Sequence, residues 1–148
     1  MGNRPQRGPR TTDDAGTSVA RLILDTTVFI DAERRGRRLD RLIADEDDVA
    51  IAAVTAAELL VGVELADDAR RPARAAFVRS VLDTVPIEDY DVQVARMHAT
   101  LLAHVRRSGR PRGAHDLIIA ATAAARDRLV VSTDATAFAD LPGVPVRA

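Results

Sequence analysis

The run Leu22-Ile23-Leu24-Asp25 constrains this chain more than any other stretch. Three consecutive apolar residues with polar neighbours on both sides read as a short strand covered on both faces, the mark of a parallel sheet core. Asp25 stands at the carboxyl end of that strand, and Thr26-Thr27 leads into a helical run. In open α/β sheets ligands and catalytic groups collect at that edge. A carboxylate there also suits a simple N-cap, accepting the first free amides of the helix. Only matching acids elsewhere can decide between the two roles.

The rest of the chain supplies further strands and helices in alternation. Val49–Ala53 and Leu129–Ser132 read as buried strands, Val85-Pro86-Ile87 as a short extended piece, and Val144-Pro145-Val146 as an edge strand that tolerates proline. Helical patterns cover Val28–Ala44 with an interruption at Gly36, then a segment from Thr55 through Leu65, and Pro72–Leu82. Asp91–Arg107 carries the apolar stripe Val94, Met97, Leu101, Leu102 and Val105, and a very apolar helix opens at His115. Ser108–Gly113 is a loop by composition.

A length of 148 residues suits one domain around a single core. With only 3% aromatic residues, that core must be filled by Ala, Val, Leu and Ile. Met1–Thr17 contains almost nothing to bury, so residues 1–18 are expected to be a disordered leader and residues 19–148 the domain. Because the fold signal starts only at Ala20, Val19 is a candidate start of translation.

Composition excludes several chemistries. Cysteine is absent, which removes disulfides, thiolate metal sites and a cysteine nucleophile. Together with the lack of a signal-peptide core or a bilayer-spanning run, this fits a cytoplasmic protein without a membrane partner. The net charge of −1 conceals the fact that all 21 cations are arginine. The clusters Arg34-Arg35-Gly36-Arg37-Arg38 and Arg106–Arg112 suit either a nucleic-acid backbone or solvated helix ends.

Three more acids occupy places like that of Asp25. Glu58 closes Thr55-Ala56-Ala57-Glu58, which also matches a capping box. Asp116 falls in the first turn of its helix, where the dipole favours a carboxylate. Asp134 follows Thr133 after the strand Leu129–Ser132. A parallel sheet brings such strand ends together on one edge, and four acidic caps would repel one another there. A hard divalent cation such as Mg²⁺ or Mn²⁺ relieves that repulsion and can activate water against a phosphodiester.

The Asp25-Thr26-Thr27 junction, Thr55-x-x-Glu58-Leu59, Asp116-x-x-Ile119-Ala120-Ala121 and Thr133-Asp134 with Phe138, in this order, resemble the PIN-domain ribonucleases, most closely the VapC-type toxins of bacterial toxin-antitoxin pairs. The similarity spans about residues 20–148. It implies an α/β fold of three layers, an α/β/α sandwich with a central, mostly parallel sheet. It further implies Mg²⁺- or Mn²⁺-dependent endonuclease action on RNA, a homodimer, and inhibition by a VapB-type antitoxin whose tail enters the acidic groove.

Carried over by position, Asp25 and Asp116 match the principal metal ligands, Glu58 the second-strand glutamate and Asp134 the fourth acid, all four catalytic. Thr26 and Thr133 match polar supporting positions. Many relatives place another acid after the fourth, where this chain has Ala135-Thr136-Ala137, which puts a second resting ion in doubt. Arg110 and Arg112, in the loop leading to Asp116, are the expected RNA contacts. A haloacid-dehalogenase-like phosphatase needs a second Asp where Thr27 stands and a lysine that is missing, and a receiver domain lacks the same lysine. The remaining alternative is a catalytically inactive PIN-like module that binds RNA or protein, and the four acids argue against it.

Overall fold

The computed structural model describes residues 10–12, 18–36 and 47–147. Their order is β1 (Arg10–Thr12), β2 (Ser18–Leu24), α1 (Thr26–Arg35), β3 (Asp48–Ala52), α2 (Ala53–Glu64), α3 (Arg71–Thr84), β4 (Ile87–Glu88), α4 (Val92–Ser108), α5 (Ala114–Ala125), β5 (Leu129–Val131), a 3-10 turn (Ala135–Phe138) and β6 (Val146–Arg147).

The apolar triplet lies at the centre of the sheet. The strand order is β4-β3-β2-β5-β6 and every neighbouring pair is parallel. Leu22 is matched with Val49 on one side and Leu129 on the other, and Ile23 with Ala50 and Val130. All three triplet side chains are fully buried. Strand alternation sends Ile23 to the face covered by α4 and α5, where it joins Leu101, Leu117, Ile119 and Val130. Leu24 goes to the opposite face with Phe29 of α1, Leu59 of α2, and Val78 and Val81 of α3. These two covered faces make the expected three-layer α/β/α sandwich. Each fully buried side chain of this kind is worth about 1.5–3 kcal/mol relative to exposure. The triplet therefore outweighs an N-cap of about 1 kcal/mol in fixing where the strand ends.

Helix α1 stops where the sequence supplies a left-handed residue, Gly36 at φ +59°. The rest of the run expected to reach Ala44 lies outside the described residues. Part of the expected leader is ordered into the sheet: Arg10–Thr12 pair antiparallel with Ser18–Ala20, while the other leader residues lie outside the described set. Composition could not reveal this, because the pairing is made by backbone. Partners of β2 in the parallel ladders begin only at Arg21, so those ladders leave Ser18–Ala20 open to a short strand.

A buried cation braces the sheet. Arg128, 5% exposed, donates to Leu22 O (3.2 Å), to Asp48 Oδ1 (3.1 Å) and to Glu88 Oε1 (2.9 Å), so it touches β2, β3 and β4 from the start of β5. No described helix is long and apolar enough to cross a membrane.

Candidate active site

Because β2, β3 and β5 are parallel, their carboxyl ends share one edge, and α1 and α2 begin there within a residue of the strands. Asp25 is held at this edge by its amide, which donates to Val131 O at 2.9 Å and so extends the β2–β5 ladder. It occupies the N-cap position of α1 with extended backbone, yet its side chain caps nothing. Its Oδ2 instead accepts from Thr27 Oγ1 (2.9 Å) and Ser132 Oγ (2.8 Å). Asp25 is only 3% exposed. Among the described residues no bond falls on Oδ1 and no cation is paired with it. A buried carboxylate in that state is costly unless something positive joins it.

Glu58 does not form the capping box that its sequence allows. Helix α2 starts at Ala53 directly from β3, with Ala52 at its N-cap, so Thr55 lies inside the first turn and Glu58 cannot reach back to a capping amide. Thr55 is fully buried and its Oγ1 has no partner among the described residues. Glu58 Oε1 accepts from Thr26 Oγ1 of α1 at 2.9 Å, and Glu58 Oε2 lies 3.5 Å from His115 Nδ1 of α5.

Asp116 sits in the first turn of α5, after the bare N-cap Gly113. A Cβ at Gly113 would stand 2.7 Å from Asp116 Oδ2, so the absence of a side chain there makes room for the carboxylate. Burial pushes the Asp116 carboxyl above its ordinary range, and the negative charges of Asp25, Glu58 and Asp134 push it further, with His115 opposing. These four acids therefore share one field. Asp134 is the exposed member. It precedes the 3-10 turn without capping it, its Oδ1 accepts from Thr136 Oγ1 (2.5 Å), and its amide donates to Ser132 Oγ (2.9 Å).

Of the other residues singled out in the sequence, Thr26 is bonded to Glu58, whereas Thr133 reaches the cluster only through its amide, which donates to Thr27 Oγ1 at 3.2 Å. Arg112 spends its guanidinium on the carbonyls of Thr136 (3.3 Å) and Ala139 (2.7 Å). The Arg110 side chain is 75% exposed, with Asp140 at 4.0 Å. Asp31 is paired with Arg35 along α1 at 2.8 Å.

Two hydroxyls escaped the sequence reading. Thr27 and Ser132 are the donors to Asp25, and they also receive the amides of Thr133 and Asp134. The signal for Ser132 was a polar residue closing an apolar strand, and for Thr27 its place in the Asp25-Thr26-Thr27 junction, where no role for its hydroxyl could be read.

This donor set is all carboxylate oxygen, which suits a hard divalent cation. The unrelieved repulsion on Asp116 is the kind of charge excess such an ion neutralises. Among the described residues no three ligating side chains already converge on one point.

Comparison with known proteins agrees with this geometry. The family model described as PIN domain matches residues 22–144. The chain is 44% identical over 130 residues to "Ribonuclease VapC5" of Mycobacterium tuberculosis, covering 86% of this chain and 92% of that one. It superposes with a TM-score of 0.69 and 38% identity on a crystal structure of VapBC-5, a member of the VapBC family of toxin-antitoxin systems from the same organism, covering 84% of this chain and 94% of that one. VapBC2 from Rickettsia felis, bound to a promoter DNA fragment, gives a TM-score of 0.76 at 21% identity over 85% and 96% of the two chains, a likeness of fold.

Proposed function

The chain belongs to the PIN-domain family, and from that premise we propose that it is a divalent-metal-dependent endoribonuclease whose acidic centre is Asp25, Glu58, Asp116 and Asp134. The observation that supports this reading best is the field at Asp116: four carboxylates act together where three of them, Asp25, Glu58 and Asp134, make none of the caps that would explain them structurally. A purely binding module has no need to bury Asp25 without a partner cation, and no observation favours that alternative.

In this reading Asp25 and Asp116 are the principal ligands of Mg²⁺ or Mn²⁺, with Glu58 and Asp134 beside them. When bound, the ion polarises a water and neutralises charge gathering on the phosphodiester. The protein's own part is orientation. Thr27 and Ser132 turn Asp25 so that Oδ1 faces away from its donors, and Thr26 fixes one oxygen of Glu58. Water adds to phosphorus and the P–O ester bond to the leaving oxygen breaks, with a proton passing to that oxygen. The exposed Arg110 at the rim supplies attraction for the RNA backbone.

The similar VapBC-5 structure is of a member of the VapBC family of toxin-antitoxin systems, which supports a role as the toxin partner of a VapB-type antitoxin, active as a homodimer when released. Residues 19–148 form the catalytic domain. Sequencing RNA 5′ ends after induction of the wild type and of Asp25→Asn tests the function directly. New ends that appear only with the wild type are expected; identical ends with both proteins refute the assignment.

A further inference from the structure

Arg112 belongs to the arginine-rich loop before α5, yet among the described residues its guanidinium pairs with no acid. Nη1 donates to Thr136 O (3.3 Å), inside the turn following Asp134, and Nη2 to Ala139 O (2.7 Å), just after it, while Nε is buried without a partner among the described residues. This turn is a single 3-10 element held by two long backbone hydrogen bonds, Ala137 N to Asp134 O (3.3 Å) and Ala139 N to Thr136 O (3.4 Å), the poorer geometry usual for such turns. From below it is pinned by Phe138, 1% exposed. From the side it is pinned by Arg112, whose planar fork suits two carbonyls set apart by three residues. Thr136, held by its carbonyl, passes the constraint on: its Oγ1 donates to Asp134 Oδ1 at 2.5 Å. Arg112 lies four residues before Asp116 on the same loop-to-helix segment. One side chain thus ties the segment bearing Asp116 to the turn bearing Asp134, two pieces of chain that β5 and the α5–β5 connection otherwise separate.

We infer that Arg112 is a positioning residue that sets Asp134 against Asp116 through Thr136, rather than a contact to RNA. The inference rests on the acidic centre proposed above. Its Nε is buried and each terminal nitrogen already donates to a backbone carbonyl, so the fork is engaged by protein, whereas Arg110 two residues earlier keeps its charge in solvent.

The test compares Arg112→Gln, Arg112→Lys and Thr136→Val with wild type by Mn²⁺ titration calorimetry on RNA-free protein, by amide exchange of Ala135–Ala139, and by steady-state RNA cleavage. Arg112→Gln should weaken Mn²⁺ binding roughly tenfold, as loss of a partner behind a ligand does. Its kcat should fall while KM for RNA stays within about twofold, because substrate contact is untouched. Thr136→Val should shift Mn²⁺ affinity the same way with Arg112 intact, and Arg112→Lys should fall between wild type and Gln. Adding Arg112→Gln to Asp134→Asn should weaken Mn²⁺ binding no further, since both act through one group. Unchanged Mn²⁺ affinity with a raised KM and an RNA salt slope reduced by about 0.7 would make Arg112 a phosphate contact and overturn the inference. If wild type itself binds no Mn²⁺, the metal reading fails separately. Exchange then decides alone: faster amides in Ala135–Ala139 of Arg112→Gln support the strut, and unchanged ones overturn it.

Discussion

Ser132 Oγ stands 2.8 Å from Asp25 Oδ2, joining the end of one parallel strand to the acid at the end of its neighbour. A hydroxyl has one proton and two acceptor lone pairs. Ser132 spends its proton on Asp25 and receives the Asp134 amide at 2.9 Å. Thr27 does the same with its proton on Asp25 and the Thr133 amide. With both protons committed, the 3.3 Å approach of Thr27 to Ser132 is a close contact and not a third bond. The pair therefore works as two staples, each holding the buried carboxylate with one hand and the β5 exit with the other.

Ser132→Ala should expose what that staple does. Asp25 loses one of its two described donors while remaining buried, which costs about 1–3 kcal/mol by the measure of an unsatisfied buried polar group. Urea unfolding in EDTA should show this loss, and RNA cleavage should fall with it because the Asp134 amide is released as well. Stability within about 0.5 kcal/mol of wild type, the range of an inert surface change, would contradict the staple.

How much of this could be read in advance depends on whether the signal was local. The strands of the sheet were legible because Leu22-Ile23-Leu24, buried on both faces, and Leu129-Val130-Val131, with Val130 buried between two half-buried neighbours, are continuous apolar runs with no competing pattern. The helical stripe of α4 was legible for the same reason. The Thr55–Glu58 capping box misled because a four-residue pattern says nothing about where the helix starts; β3 runs straight into α2, which moves the N-cap to Ala52. Ser132 was read only as the tail of a strand, since its partner depends on the register that sets Leu24 beside Val131. Arg112 announced a charge but not its acceptors, which are backbone carbonyls more than twenty residues away.

Asp116→Asn should raise the stability of the metal-free protein at neutral pH. Burial and its three acidic neighbours lift the folded carboxyl above the unfolded value of 3.8. Between those two values the folded state binds more protons than the unfolded one, so stability falls as pH rises through the window and stays lower above it. Asn does not titrate and avoids that loss. In EDTA the variant should melt above wild type at pH 7, and the gap should close as pH drops toward 3.8. Mg²⁺ should then stabilise wild type and not the variant. A variant that melts below wild type at pH 7 would show that the repulsion is not felt.

Glu58→Gln separates charge from hydrogen bonding. The amide oxygen of Gln can still accept from Thr26 Oγ1, so the contact between α1 and α2 survives and stability should stay within about 0.5 kcal/mol. The negative charge is gone, and with it the share of Glu58 in holding the cation, so most RNA cleavage should be lost. Wild-type cleavage rates in a well-folded Gln variant would reduce Glu58 to a partner for Thr26.

Arg110→Ala isolates the contribution of the rim to RNA capture. An acidic cleft repels a polyanion, so some cation nearby must supply attraction over a Debye length of about 8 Å at physiological salt. Arg110 is well placed for this: it sits in the loop before Asp116 with three quarters of its side chain in solvent, and its nearest described acid, Asp140 at 4.0 Å, is itself 80% exposed. A surface pair of that kind is worth about 0–1 kcal/mol and yields readily to a phosphate. Removing the guanidinium should raise the dissociation constant for RNA and lower the salt slope by about 0.7, one phosphate's worth for a single strand. Mn²⁺ affinity and thermal stability should not change, which distinguishes this arginine from Arg112. If RNA affinity and salt slope both match wild type, the attraction comes from elsewhere, and Arg106 and Arg107 at the exposed end of α4 are the next residues to replace.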